Sequence, residues 1–249
     1  MMSKSYIGME KSVEETISFF FQLLFPNFFG DNNHAMTIDT FSESLTSSLS
    51  YVFDSKHDID HITHDLCQQL ETITDLIQTD IQAAYDGDPA AKSKDEIILT
   101  YPGFKAISIY RLAHELYRLN VPIVPRMMTE KMHSLTGIDI HPGAQIGAYF
   151  FIDHGTGIVI GETTVVGQHV KLYQNVTLGV RNFKVETDGT LAKSGKRHPN
   201  IGDYVTVYAG ATILGGETYI GDNTIIGSGT WITRSVPADT IVVNKNSTY

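Results

Sequence analysis

The strongest constraint in this chain is a six-residue period in its second half. Ile140, Ile146, Ile152 and Ile158 fall in step, followed after a two-residue slip by Ile160, Val166, Leu172 and Leu178. Past an interruption come Ile201, Val207 and Ile213, and after one more slip Ile220, Ile226 and Ile232, fourteen aliphatic residues in all. A glycine follows many of them, as at Gly147, Gly161, Gly167, Gly179, Gly202, Gly221 and Gly227. Six residues carry an α-helix through about 1.7 turns and scatter any apolar face, so a helix has no use for this period. A short strand ending in a sharp corner does. Three such units close a triangular coil of about 18 residues with the aliphatics inside, and successive coils stack about 4.8 Å apart through parallel strand pairing.

The first half has a different character. Residues 136–249 hold 17 of the 21 glycines, whereas residues 1–135 carry 19 acidic and 10 basic side chains. Two domains are expected: helical over 1–135 and a parallel β-helix over 136–249, an α+β chain. Apolar residues at three- and four-residue spacing predict helices over 10–25, 36–53, 58–86, 103–119 and 122–135. In the third, Ile59, Ile62, Leu66, Leu70, Ile73 and Ile77 mark the buried face, and Asp86-Gly87-Asp88-Pro89 ends it. The apolar run Ile17–Phe29 contains Gln22, Pro26 and Asn27 and falls short of the roughly 20 residues of a membrane span. It reads as a buried helix ending near Pro26. Met1 to Lys11 has no basic run leading into an apolar core, so no targeting segment and a cytoplasmic location are expected.

A formal charge of −10 argues against a general nucleic-acid binder, which needs a basic face to displace counterions. The single cysteine, Cys67, excludes an intramolecular disulfide and a multi-cysteine zinc site. Local positive charge does occur in the interruption, 180–200, where Arg181, Lys184, Lys193, Lys196 and Arg197 face only Glu186 and Asp188. That loop suits a phosphate-bearing ligand such as a coenzyme A nucleotide, and equally a solvated arm.

Among ten histidines, His57, His61 and His64 share a helical face with no second carboxylate-rich cluster, which reads as solvated surface rather than a metal site. His114 and His133 read as structural and His169 as outward-facing. His154 stands apart, in Ile152-Asp153-His154-Gly155-Thr156-Gly157, where an outward residue faces a groove between coils or subunits. Asp139 lies 15 residues earlier, close enough to a full coil for the two to meet at one corner. A carboxylate there would fix the imidazole tautomer and stabilise imidazolium as it takes a proton from a hydroxyl. Asp153 could hold an ammonium, and Arg197-His198 could complete the pocket by gripping a carboxylate. Singly, each is an ordinary polar residue; the combination is what points to acyl transfer.

Several segments resemble the serine O-acetyltransferases, hexapeptide-repeat acyltransferases, over about residues 80–237. They are Asp139-Ile140-His141-Pro142-Gly143-Ala144, Asp153-His154-Gly155-Thr156-Gly157-Ile158-Val159-Ile160-Gly161-Glu162-Thr163, Val176-Thr177-Leu178-Gly179 and Arg197-His198-Pro199. Upstream, Asp80-Ile81-Gln82-Ala83, Asp88-Pro89-Ala90, Tyr101-Pro102-Gly103-Phe104-Lys105-Ala106 and Tyr110-Arg111 fit the same pattern. The resemblance implies a left-handed coil, an exception to right-handed crossovers, with one extruded loop. It implies acetyl transfer from acetyl-CoA to the L-serine hydroxyl, the first step of cysteine biosynthesis. In this reading His154 is the general base, Asp139 its dyad partner, and His198 a further residue of the catalytic site. Asp88, Asp153 and Arg197 bind the amino acid, and acetyl-CoA lies between neighbouring β-helices near Gly179 and Ala209, with Lys196 as a further contact. No metal is implied. Trimers, or hexamers as dimers of trimers, and feedback inhibition by cysteine are also implied.

Two departures stand out: Val180 replaces the usual second glycine after Gly179, and the chain runs from Pro237 to Tyr249 without the isoleucine end that docks a sulfhydrylase, so that complex is not expected. Rival readings are another acceptor on the same fold, a zinc hydratase using His154, His169 or His198, and a non-catalytic coenzyme A-binding scaffold subunit.

Overall fold

The computed structural model describes residues 6–30 and 36–244; the tail reading near Tyr249 lies outside them. Seven helices come first among the described residues: α1 (Tyr6–Leu24), α2 (Pro26–Phe29), α3 (Ile38–Leu49), α4 (Lys56–Gly87), α5 (Lys94–Thr100), α6 (Pro102–Arg118) and α7 (Val124–Thr136). Local chemistry sets their ends. The hydroxyls of Thr37, Ser55 and Ser93 accept the first free backbone N–H groups of α3, α4 and α5, and Gly137 takes the left-handed conformation that closes α7. The apolar run after Ile17 ends its helix at Leu24 and buries Ile17, Phe20 and Phe25. No helix among the described residues is long and apolar enough to cross a membrane.

The chain then coils. Strands β1 (Asp139–Ile140), β2 (Gln145–Ile146) and β3 (Phe151–Ile152) make the first turn, and β4 (Val159–Ile160), β5 (Val165–Val166) and β6 (Lys171–Leu172) the second. After β7 (Thr177–Gly179) comes the extruded loop, then β8 (Asn200–Ile201) and β9 (Thr206–Val207). The coil continues through β10 (Thr212–Leu214), β11 (Tyr219–Ile220), β12 (Ile225–Ile226), β13 (Trp231–Ile232) and β14 (Ile241–Val242). All pairings between strands are parallel and build three faces: β1-β4-β7-β10-β13, β2-β5-β8-β11 and β3-β6-β9-β12-β14. This is the left-handed parallel β-helix. All fourteen aliphatics of the six-residue period are buried inside it.

The coil is not uniform. Asp139 pairs with Val159, twenty positions on, whereas Val159 pairs with Thr177, eighteen positions on. The first turn therefore carries two extra residues, at the edge between β3 and β4. Those residues include the segment around His154.

Helices and coil meet through a shared interior. Ala106, Ile107 and Tyr110 of α6 pack into the β-helix core, while Phe151 of β3 packs into the helical core. At the junction sits a buried ion pair. Arg111 Nε and Nη2 each lie 3.1 Å from the Asp80 carboxylate, with side chains 4% and 2% exposed. Arg111 also donates to the carbonyls of Ile146 (2.5 Å) and Gly147 (2.6 Å), and Asp80 accepts from Phe150 N–H at 2.9 Å. Burial pushes the Asp80 carboxyl above its usual range, against the pull of Arg111. The family-like segments around Asp80 and Arg111 are thus structural: they seat the helices on the first coil.

Removing one partner strands the other charge in a dry interface. Asp80→Asn should cost about 3–5 kcal/mol in chemical denaturation, and the double change Asp80→Leu with Arg111→Met less than either alone. Single variants as stable as wild type would contradict this.

Candidate active site

The two extra residues of the first turn throw Asp153-His154-Gly155-Thr156-Gly157 outward at the edge between the third and first faces. Gly155 is required there: its φ is +88°, and a Cβ would fall 2.4 Å from Ile138 Cδ1. His154 also has a positive φ of 61°, but so do Tyr149, His169, Asn175 and Tyr204 at other corners. The conformation marks the corner, not the chemistry. The His154 side chain is 70% exposed, with Nε2 3.7 Å from Asp153 Oδ1.

Asp88 reaches this edge from the helices. It follows the last turn of α4, and Pro89 keeps it extended (φ −120°). Its carboxylate accepts from Tyr101 Oη (2.5 Å) and Ala90 N–H (2.8 Å). The Tyr101 bond first, then the Ala90 bond and the charges of Lys171 and His154, hold it below the usual carboxylate range. Lys171 Nζ lies 3.2 Å from Asp153 Oδ2. Asp88, Asp153 and His154 therefore share one neighbourhood. Tyr101 and Lys171 belong to it too, although the sequence assigns them no role there.

Asp139 is placed otherwise. Its carboxylate pairs with Arg126 of α7 at 3.1 Å, and Arg126 also pairs with Glu130, whose other oxygen lies 3.2 Å from His133 Nδ1. Glu130, His133 and Asp139 could by proximity hold a metal ion, but the Arg126 guanidinium already supplies the cation to two of them. The carboxylate paired with the His154 ring is that of Asp153. Asp139 opens β1 on the same edge that carries the His154 corner, where Gly155 packs against Ile138.

A second group occupies the next edge, between the first and second faces. Arg197 pairs with Glu162, which accepts from Tyr117 Oη of α6 at 2.8 Å. Thr163 Oγ1 accepts from the Arg197 and His198 N–H groups, both at 3.0 Å, and sits 2.9 Å from His198 Nδ1. Nδ1 also accepts from Thr163 N–H (3.1 Å), so the proton of neutral His198 resides on Nε2. The ring lies over Gly161, where a Cβ would come within 2.0 Å of it. Burial, then the charge of Arg197, lowers the His198 pKa to about 4. Lys196 Nζ donates to the Thr163 carbonyl.

Arg197 and His198 thus stand on a different edge from His154. One chain does not bring them together, so the polar pocket expected from sequence does not form within a single copy. The residues expected near coenzyme A divide in the same way. Gly179 ends β7 on the Arg197 edge, and Ala209 follows β9 on the His154 edge. The loop forms a short hairpin, with Val185 bridged to Leu191, and closes a cavity of about 460 Å³ lined by Arg181, Lys184, Lys196, Arg197 and the backbone of Gly215 and Gly216. His169 faces outward as expected, stacked between Tyr149 and Tyr204 with centroids 4.3 and 4.6 Å away.

Comparison with known proteins agrees with this architecture. The family described as serine acetyltransferase, N-terminal, matches residues 32–109. A plasmid serine acetyltransferase of Synechococcus elongatus is 52% identical over 181 residues, 73% of this chain and 56% of that protein. The match thus spans little more than half of that relative's length. The serine acetyltransferase of Staphylococcus epidermidis strain RP62A is 44% identical over 167 residues, 67% of this chain and 74% of its own. The crystal structure of Entamoeba histolytica serine acetyltransferase 1 in complex with L-cysteine superposes with a TM-score of 0.82 at 38% identity, covering 93% of this chain and 86% of that one. An aligned identity of this size, over helices and coil alike, places the chain in the serine acetyltransferase family.

Proposed function

We propose that this protein transfers the acetyl group of acetyl-CoA to the hydroxyl of L-serine, giving O-acetyl-L-serine and coenzyme A, the first step of cysteine biosynthesis. The observation that carries the reading is the grouping of two carboxylates, Asp88 and Asp153, around the exposed imidazole of His154. Two carboxylates suit an amino-acid ammonium, and an imidazole beside them suits the hydroxyl one carbon further on.

In the proposed reaction His154 takes the hydroxyl proton as the serine oxygen attacks the thioester carbonyl. The tetrahedral intermediate then collapses, the carbon–sulfur bond breaks, and the departing thiolate takes the proton back from imidazolium. Arg197 grips the serine carboxylate, and neutral His198 serves as an Nε2–H donor rather than as a second base. Because these two occupy the other edge, the complete site lies between two copies of the chain, with Arg197 and His198 supplied by the neighbour. A ring of three such copies closes head to tail, and pairing through the helical domain would give a hexamer. Acetyl-CoA would then run between the copies, past Ala209 of one and Gly179 and Lys196 of the other. Arg126 engages Asp139 through Oδ1, so the orienting role falls to Oδ2.

L-Cysteine differs from serine by sulfur in place of oxygen, and the relative from Entamoeba histolytica was solved with it. Inhibition through the same carboxylates and guanidinium belongs to this reading, as does a cytoplasmic location.

Thioester consumption, followed by ultraviolet absorbance with acetyl-CoA and L-serine, L-homoserine, L-threonine or simple sugars, tests the reaction. Serine-dependent loss is expected, and His154→Ala should lower turnover by about 10²–10⁴ while leaving coenzyme A affinity near wild type. Near wild-type turnover would remove His154 from the role. The state of His198 is separately measurable. Its imidazole should remain neutral by NMR at about pH 5.5, where a free histidine is mostly protonated. Since the unfolded chain protonates it near 6.5 and the folded chain near 4, its contribution to stability is present above pH 6.5 and is lost as pH falls toward 4. An ordinary titration near 6.5 would contradict the assignment.

A further inference from the structure

Lys171 does more in this structure than its place in the repeat suggests. It occupies the outward strand position next to inward Leu172, ordinarily a solvated site. Its side chain is instead only 19% exposed, and its ammonium has four partners. Nζ lies 3.2 Å from Asp153 Oδ2 and donates to the Gly87 carbonyl at 2.8 Å. It also stands 4.7 Å from the Phe151 ring centroid and 4.6 Å from that of Tyr173.

These contacts join separate parts of the molecule. Gly87 is the last residue of α4 and directly precedes Asp88. It packs so closely on Phe151 that a Cβ there would fall 2.8 Å from the ring. Asp153 belongs to the corner that carries His154. With Oδ2 committed to Lys171, its other oxygen, Oδ1, is the one facing His154 Nε2. One ammonium therefore aims Asp153 and pins the backbone that delivers Asp88. It also offsets one of two like charges that would otherwise push the two segments apart.

We propose that Lys171 is a positioning residue of the amino-acid site: it holds Asp88 and Asp153 together in front of His154 so that both can receive one substrate ammonium. The inference rests on the serine reading above and adds to it a residue that touches neither substrate. Removing the lysine has two opposing effects. It leaves more negative charge to attract an ammonium, but His154 and the Asp88 turn are open to water, where such attraction is weak and screened. It also frees a carboxylate and a helix end that must be ordered again at each binding event, and this second effect dominates.

The test is steady-state kinetics of wild type, Lys171→Met and Lys171→Arg, with folding checked by circular dichroism and thermal melting. Lys171→Met keeps most of the apolar stem and removes the charge. It should raise KM for L-serine about tenfold or more, as expected for loss of a charged hydrogen bond, while kcat changes less than about threefold and KM for acetyl-CoA stays put. Lys171→Arg should recover most of the serine KM. A serine KM within twofold of wild type in folded Lys171→Met would overturn the inference, as would equal impairment of Met and Arg variants, which points to packing. A fall in kcat with KM unchanged would also overturn it. Wild-type protein with no serine turnover would overturn the underlying reading, and this inference with it.

Discussion

The buried pair of Asp80 and Arg111 is the interaction on which the rest of this structure depends. A guanidinium removed from water needs its donors satisfied, and here the partners come from two units at once: a carboxylate on α4 and the carbonyls that end β2. The first coil and helices α4 and α6 are therefore fixed by one set of bonds. From that crossing α4 runs on for about two turns to Gly87 and delivers Asp88 to one edge of the prism. From the same crossing α6 runs on to Tyr117, which reaches Glu162 on the next edge. Each candidate half-site is thus referenced to a single point in the interior.

The second constraint is the length of the first turn. An even coil would tuck every corner back against its neighbour. Two added residues leave His154 outside, with Gly155 accommodating the path. The carboxylates and imidazole of the proposed serine site then share that edge. The Arg197 edge is built the opposite way: His198 is folded over Gly161 and held neutral by burial, with its arginine neighbour tied to Glu162. One edge carries the His154 corner and the other the buried His198 ring beside the extruded loop, so the two halves of the proposed site stand apart within one copy.

Legibility in the sequence followed the range of the interaction. The six-residue period maps one residue to one inward side chain, so Ile140 through Ile232 could be placed without any knowledge of packing, and all are buried. The face of α4 from Ile59 to Ile77 was legible for the same reason. Helix α5, Lys94–Thr100, is absent from the helices expected because it is too short to show a period; only the Ser93 cap with Glu96 three residues on marks it. The slip after Ile158 is visible in the chain, but its consequence, a projecting corner that carries Asp153 and His154 outward, needs the register of the strands. Lys171 bonds across 84 residues to Gly87, and Tyr117 across 45 to Glu162; no local pattern encodes such contacts. The family-like segments mix residues that hold the fold, such as Asp80 and Arg111, with those proposed to face substrate.

In the proposed shared site, His154 comes from one copy and Arg197 from the next. Mixed oligomers test this most directly. His154→Ala and Arg197→Ala subunits, each prepared alone and then refolded or co-expressed together with subunit exchange verified by mass, are assayed for serine-dependent thioester loss. Each variant alone should be nearly inactive, whereas random mixing in equal amounts restores intact pairs at roughly a quarter of all subunit contacts and should recover about that share of wild-type activity. A verified mixture no more active than its parents would contradict the shared site and confine the chemistry to a single chain.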